Sequence, residues 1–260
     1  MRTTSNPAFR NLPNSAGGYA NFDYGQGSQP GQTQAAPPQA TRPMTIDDVV
    51  TKTGITLGLA VITAALTYTV GGAAVALAMP AAIVGLVLAL VITFKKKVSP
   101  ALVIAYSAVE GVFLGGISWM FASMFNPGLI MQAIVGTLGV FAAMLVVYKT
   151  GAIRVTPKLT KWIIGAVAGV AVMMLVNLVA SFFVEGGVGL REPSPLGIGF
   201  SLLCIGIAAF SFLLDFDAAD KAIRAGVDAK FAWYVAFGLM VTLVWLYLEI
   251  LRLLSYFQND

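Results

Sequence analysis

The sequence predicts an all-α, polytopic membrane protein: seven transmembrane helices behind a polar N-terminal tail. Three observations carry that expectation. Apolar residues make up 58% of the 260-residue chain and charged residues 11%, against roughly 25% charge in soluble domains, and mean hydropathy is +0.82. Uncharged runs long enough to cross a bilayer core of about 30 Å recur along the chain. The basic residues gather between those runs.

Residues 1–48 are rich in Gly, Pro, Gln, Asn and Ser, and between Asn11 and Thr41 there is a single charge, Asp23. Such a segment cannot bury enough apolar area to offset the entropy of ordering. It is expected to be a disordered tail, followed by a transmembrane domain over 49–257. It has no early apolar stretch of the kind a signal peptide carries. Tyr19, Phe22 and Tyr24 among its glycines leave weak self-association open beside an inert tail.

Spans are expected at 54–70, 73–94, 101–123, 129–148, 162–184, 196–214 and 232–254, each bounded by charge, a Gly/Pro turn, or both. Helices suit these segments because each satisfies its own backbone polar groups in an apolar medium. No charge occurs from Gly54 to Phe94, 41 residues, too many for one crossing. Gly71 and Gly72 offer the turn between two spans, and Pro80 is expected to kink the second. A six-span arrangement with one re-entrant segment is the alternative. Placing the N-terminus in the cytoplasm puts 14 of the 16 basic residues on that side, leaving only Arg191 and Arg252 opposite. Without the distant Arg2 and Arg10 the bias is 12 against 2, as the positive-inside rule requires.

Composition excludes several functions. There are no histidines and one cysteine, Cys204, so imidazole chemistry and internal disulfides are out, and any proton response must come from carboxylates. No nucleic-acid-binding pattern and no paired catalytic motif such as Gly-x-Gly-Asp is present. The reading is therefore of a protein that is not an enzyme and holds no tightly bound cofactor. Gly111 and Gly115, like Gly165 and Gly169, are four apart, a spacing that lets helix backbones approach. They serve packing within the chain or a dimer seam, so a monomer or weak dimer is expected.

Acids at membrane depth are the informative residues, because an ionisable group there is costly and usually serves a purpose. Glu110 lies near the middle of the third span, with Tyr106 and Ser107 one turn earlier as hydroxyl partners. It is either an ion or proton ligand or a structural bond between helices. Asp215 follows the sixth span and is the acid of its cluster most expected to turn inward, a helix-end position being the alternative. Asp217 and Asp220 have Lys221 and Arg224 four residues on, as solvated surface pairs would. Glu249 lies in the last span three residues before Arg252, and is either their local pair or a gating, ion-coordinating carboxylate. Asn177 is expected to hydrogen-bond between helices. Trp162 is a plausible interface anchor.

The stretch Ala108-Val109-Glu110-Gly111-Val112-Phe113-Leu114-Gly115 is similar to the "EG…LG" helix of the Bax inhibitor-1 family. Leu214-Asp215-Phe216-Asp217-Ala218-Ala219 resembles its sixth-helix aspartate motif, and Leu246-Tyr247-Leu248-Glu249-Ile250-Leu251-Arg252 its last helix. The resemblance covers roughly residues 50–257 and looks most like the actinobacterial branch. It implies a bundle around a central seventh helix. It also implies a pH-sensitive calcium leak of a bacterial plasma membrane, with protons and calcium as partners; the charge bias and the seven spans place the N-terminus in the cytoplasm and the C-terminus outside. Two acids on the last two helices would share a proton and gate the path. By position these are Asp215 and Glu249, which would also be the calcium ligands, with Glu110 on the same path. Here Glu249 stands where many members have Asp, and Arg252 where they have Asn. A simple antiparallel hairpin would leave the two acids about 25 Å apart along the helix. Pairing them needs shifted span boundaries or broken or tilted helices. A regulator of a membrane protease and a proton/calcium exchanger are the competing functions.

Overall fold

The computed structural model describes residues 42–95, 98–184 and 186–258. Within them run seven helices long and apolar enough to cross a membrane: α1 (Ile46–Thr69), α2 (Ala73–Phe94), α3 (Pro100–Met124), α4 (Gly128–Thr150), α5 (Pro157–Ala180), α6 (Pro195–Arg224) and α7 (Ala232–Tyr256). The chain is thus a seven-helix polytopic membrane bundle. α1 and α2 are separate helices of 24 and 22 residues, so the six-span alternative fails. Gly71 makes the turn between them at a φ of +74°, a conformation that favours glycine. Pro80 lies inside α2, which runs through it unbroken.

The start of α1 and the end of α6 differ most from those expected, and α5 lies four to five residues earlier than the span 162–184. α1 starts eight residues early because Thr45 and Asp48 form a reciprocal capping box, which satisfies two otherwise orphaned backbone donors. Just before it, Met44 N–H donates to the Val227 carbonyl at 2.7 Å and Ala229 N–H to the Arg42 carbonyl at 2.8 Å. The lead-in to α1 is thereby fastened to the α6–α7 turn, with Met44 buried. Residues 1–41, most of the expected tail, lie outside the described residues. α6 runs to Arg224 rather than stopping at 214, 30 residues in all. The ion pairs Asp217–Lys221 (2.6 Å) and Asp220–Arg224 (2.8 Å) carry it onward at i,i+4 spacing.

α7 is the central helix. Sixteen of its 25 residues are buried, against two in α5. One face (Leu239, Leu243, Leu246, Ile250) packs with Leu129 and Ala133 of α4 and Phe212 and Phe216 of α6. The other (Phe237, Met240, Val244) packs with Ala60 of α1 and Val103 and Tyr106 of α3. α5 leans on α6 at the edge of the bundle.

In lipid, apolar burial supplies little drive between helices, so close fit has to hold them. α3 provides it. A Cβ at Gly111 would collide with the Ala60 carbonyl and the Thr63 hydroxyl of α1, one at Gly115 with the Ala64 carbonyl, and one at Gly116 with Ala74 of α2. The Gly111/Gly115 pair therefore packs within the chain. At Gly165 and Gly169 a Cβ would meet nothing within 4 Å. Gly111→Ala should thus destabilise the protein by about 1–3 kcal/mol through overpacking, whereas Gly165→Ala should leave it unchanged. Thermal unfolding of both variants in detergent checks this contrast.

Candidate functional site

Three acids sit among the packed helices, Glu110 and Glu249 buried and Asp215 half-buried, each in a different setting. Asp215 lies well inside α6 because that helix is longer than expected. Its Oδ2 accepts a hydrogen bond from Thr242 Oγ1 of α7 at 2.7 Å. Gly238, one turn before Thr242, faces the same carboxylate, since a Cβ there would lie 3.7 Å from Oδ1. The Thr242 hydroxyl is also 3.2 Å from the Gly238 carbonyl oxygen. A carboxylate, a hydroxyl and a carbonyl thus stand in sequence across the α6–α7 contact. Thr242 is ten residues past the start of α7, about 15 Å along the axis and so near half the bilayer core.

Glu110 is ten residues into α3, at similar depth from the helix start, and is buried. Its carboxylate rests against Gly85 of α2, where a Cβ would lie 2.8 Å from Oε2. Tyr106 is buried one turn earlier and packs edge-on against Phe237 of α7, ring centroids 5.0 Å apart at 75°. Ser107 is not the expected partner of Glu110. Its hydroxyl donates to the Val103 carbonyl at 2.9 Å and lies 3.3 Å from the Met240 sulfur.

Glu249 is the most enclosed of the three, 2% exposed, and is the one held by cations. Its Oε1 lies 3.3 Å from the guanidinium of Arg191 and 3.9 Å from that of Arg252. The local Glu249–Arg252 pair exists, but the nearer partner comes from the connection between α5 and α6. Arg191 also donates toward the Met174 sulfur at 3.0 Å.

The profile described as "Bax inhibitor 1 like" matches residues 6–259. The chain belongs to the Bax inhibitor-1 family. No curated protein matches it.

This member of the Bax inhibitor-1 family gives Asp215 and Glu249 separate partners. The α7 residue that meets Asp215 is Thr242, seven residues before Glu249, or about 10 Å along the helix. Among the described residues, Asp215 and Glu110 enter no ion pair, whereas Glu249 enters two. Asp217 pairs with Lys221 toward the end of α6. Asn177 does not bridge helices. Its Oδ1 accepts from Val188 N–H at 2.9 Å, holding the turn that follows α5. Among the described residues no three acids or cysteines cluster as a metal site.

Thr242 and Arg191 were the residues that sequence reasoning passed over. Thr242 was the one aliphatic hydroxyl between Phe237 and Glu249, and a threonine in an otherwise apolar stretch is a signal for a buried partner. Arg191 was a base on the side depleted of bases, which is the corresponding signal for a specific carboxylate.

Removing the charge of Glu249 leaves Arg191 and Arg252 without their anion. Breaking such a pair costs about 3–5 kcal/mol when it is fully buried, and both arginines are partly exposed. Glu249→Gln should therefore lower stability by about 3 kcal/mol or somewhat less. Arg191→Ala should speed hydrogen exchange over residues 186–194 while leaving the 227–231 turn unchanged. Thermal unfolding and exchange mass spectrometry in detergent read the two effects.

Proposed function

We propose that the protein is a pH-responsive passive cation leak, with calcium as the transported ion and Asp215 as the group that sets the state of the α6–α7 contact. The observation supporting this is the row Asp215–Thr242–Gly238. An ionised Asp215 only accepts, so Thr242 gives its hydrogen to the carboxylate. A protonated Asp215 donates as well. It can then donate to Thr242 Oγ1, and the threonine hydrogen turns to the Gly238 carbonyl 3.2 Å away. The two protonation states thus favour two hydrogen-bond arrangements at the joint between α6 and the central helix. Such a local change is what a proton switch needs, provided the joint has two packings for it to bias.

The same row offers a cation three kinds of oxygen. Calcium takes six to eight oxygens, so water and further carbonyls must complete its shell, as suits passage rather than storage. Glu110, without a countercharge among the described residues, is a second acid on this reading, in the α2–α3 contact. Glu249 is assigned a holding role with Arg191 and Arg252 rather than a shared proton. The basic bias around the spans supports a cytoplasmic N-terminus, and the motif pattern supports a bacterial plasma membrane.

The test is calcium flux into proteoliposomes from about pH 5 to about pH 8. Wild type should pass calcium down its gradient with a pH-dependent rate. Asp215→Asn should remove most of that pH dependence. Accumulation of calcium against its gradient, driven by protons, would make the protein an exchanger. No flux above empty liposomes at any pH would overturn the leak and favour a regulator of a membrane protease or other membrane partner.

A further inference from the structure

A lateral cleft of about 440 Å³ lies apart from all three acids, between α1 and α4, with α3 and α7 as its floor. Its size falls in the usual range for small-ligand sites, roughly 300–1,000 Å³. The walls are aliphatic: Val61 and Ala65 on α1, Ile134 and Leu138 on α4. The floor is Leu243 and Tyr247 of the central helix. Val61, Ile134 and Leu138 are exposed, so the cleft is continuous with the faces that α1 and α4 turn to the bilayer.

We infer that this cleft binds one acyl chain of a bilayer lipid. Water is a poor occupant, because a buried water needs two to four polar partners and four of the five hydroxyls in the lining are engaged, Tyr68 at the mouth being the fifth. Ser118 bonds Tyr247 at 2.7 Å, Thr137 donates to the Ala133 carbonyl at 2.7 Å, and Thr69 donates to the Leu66 carbonyl at 2.7 Å. An empty cleft would forfeit dispersion contacts along its whole lining. Its length selects a lipid tail. From Leu57 to Thr69, both of which line it, α1 rises about 18 Å, close to the roughly 15 Å of one leaflet's hydrocarbon. Tyr68 and Thr69 stand where α1 ends, level with the polar boundary of the membrane, while Leu57 and Met240 lie toward mid-membrane. Apolar depth with hydroxyls at the mouth matches a tail entering from its headgroup side. A transmembrane helix of a second copy would need a groove running the full span. The inference does not depend on the cation reading.

The experiment uses the full chain in vesicles containing a phosphatidylcholine with a diazirine halfway along one acyl chain. After illumination, peptide mapping should find label on Val61, Ile134 and Leu138 several-fold above that on Val172 and Val176, exposed residues of α5. Ala65→Trp and Ile134→Trp, which fill the cleft from opposite walls, should each reduce that label several-fold and leave α5 labelling unchanged. Equal labelling of the cleft and α5, or label that survives both tryptophans, would overturn the assignment. So would cross-linking of these residues to a second copy of the chain in place of lipid. The calcium flux of the variants, measured alongside, separates failure of this inference from failure of the leak.

Discussion

The burial of α7 is the constraint on which the other positions depend. A helix wetted by lipid on one side needs a single packing face, but α7 is packed on two, one set of side chains toward α4 and α6 and the other toward α1 and α3. Because lipid tails are as apolar as leucine, this arrangement holds through fit, not through escape from water. The glycines of α3 set that fit on one side by letting α1 approach backbone to backbone. On the other side the hydroxyl of Thr242 ties the middle of α7 to Asp215. The polar residues of the interior are therefore seated by the packing of the central helix.

The three acids divide by what neutralises them. Glu249 has two guanidinium groups and a closed setting, which makes it a fixed point that secures the α5–α6 connection. Glu110 and Asp215 have none among the described residues, and each faces a glycine of the adjacent helix, Gly85 and Gly238. A missing side chain opposite an acid leaves room for the carboxylate and brings a backbone within its reach. On the proposed reading, two of the acids stand where a proton or a cation would change the local balance, and the third where the balance is already struck.

The helix count was legible because charge and hydropathy alternate on the scale of the bilayer. α2 was placed to the residue, since the double glycine and Lys95 bracket an unbroken apolar run. The start of α1 was hidden because its capping box sits in a charged stretch that hydropathy assigns to a tail. The length of α6 was hidden for a related reason: residues 215–224 are polar enough to read as a loop, yet their charges are spaced to support a helix for nearly three more turns. That extension makes a sixth-helix acid an internal one. The partners of the acids were not legible, because Thr242 and Arg191 meet Asp215 and Glu249 across 27 and 58 residues of sequence, and a hydrophobic pattern carries no register between helices.

The central claim is that Asp215 exchanges a proton while hydrogen-bonded to Thr242. Infrared difference spectroscopy of the reconstituted protein across a pH titration observes that carboxyl directly. The account predicts a protonated-carboxyl band that vanishes in Asp215→Asn and shifts in frequency in Thr242→Val, with the band of Glu249→Gln matching wild type. A titrating band that persists without Asp215, or one indifferent to Thr242, would contradict it.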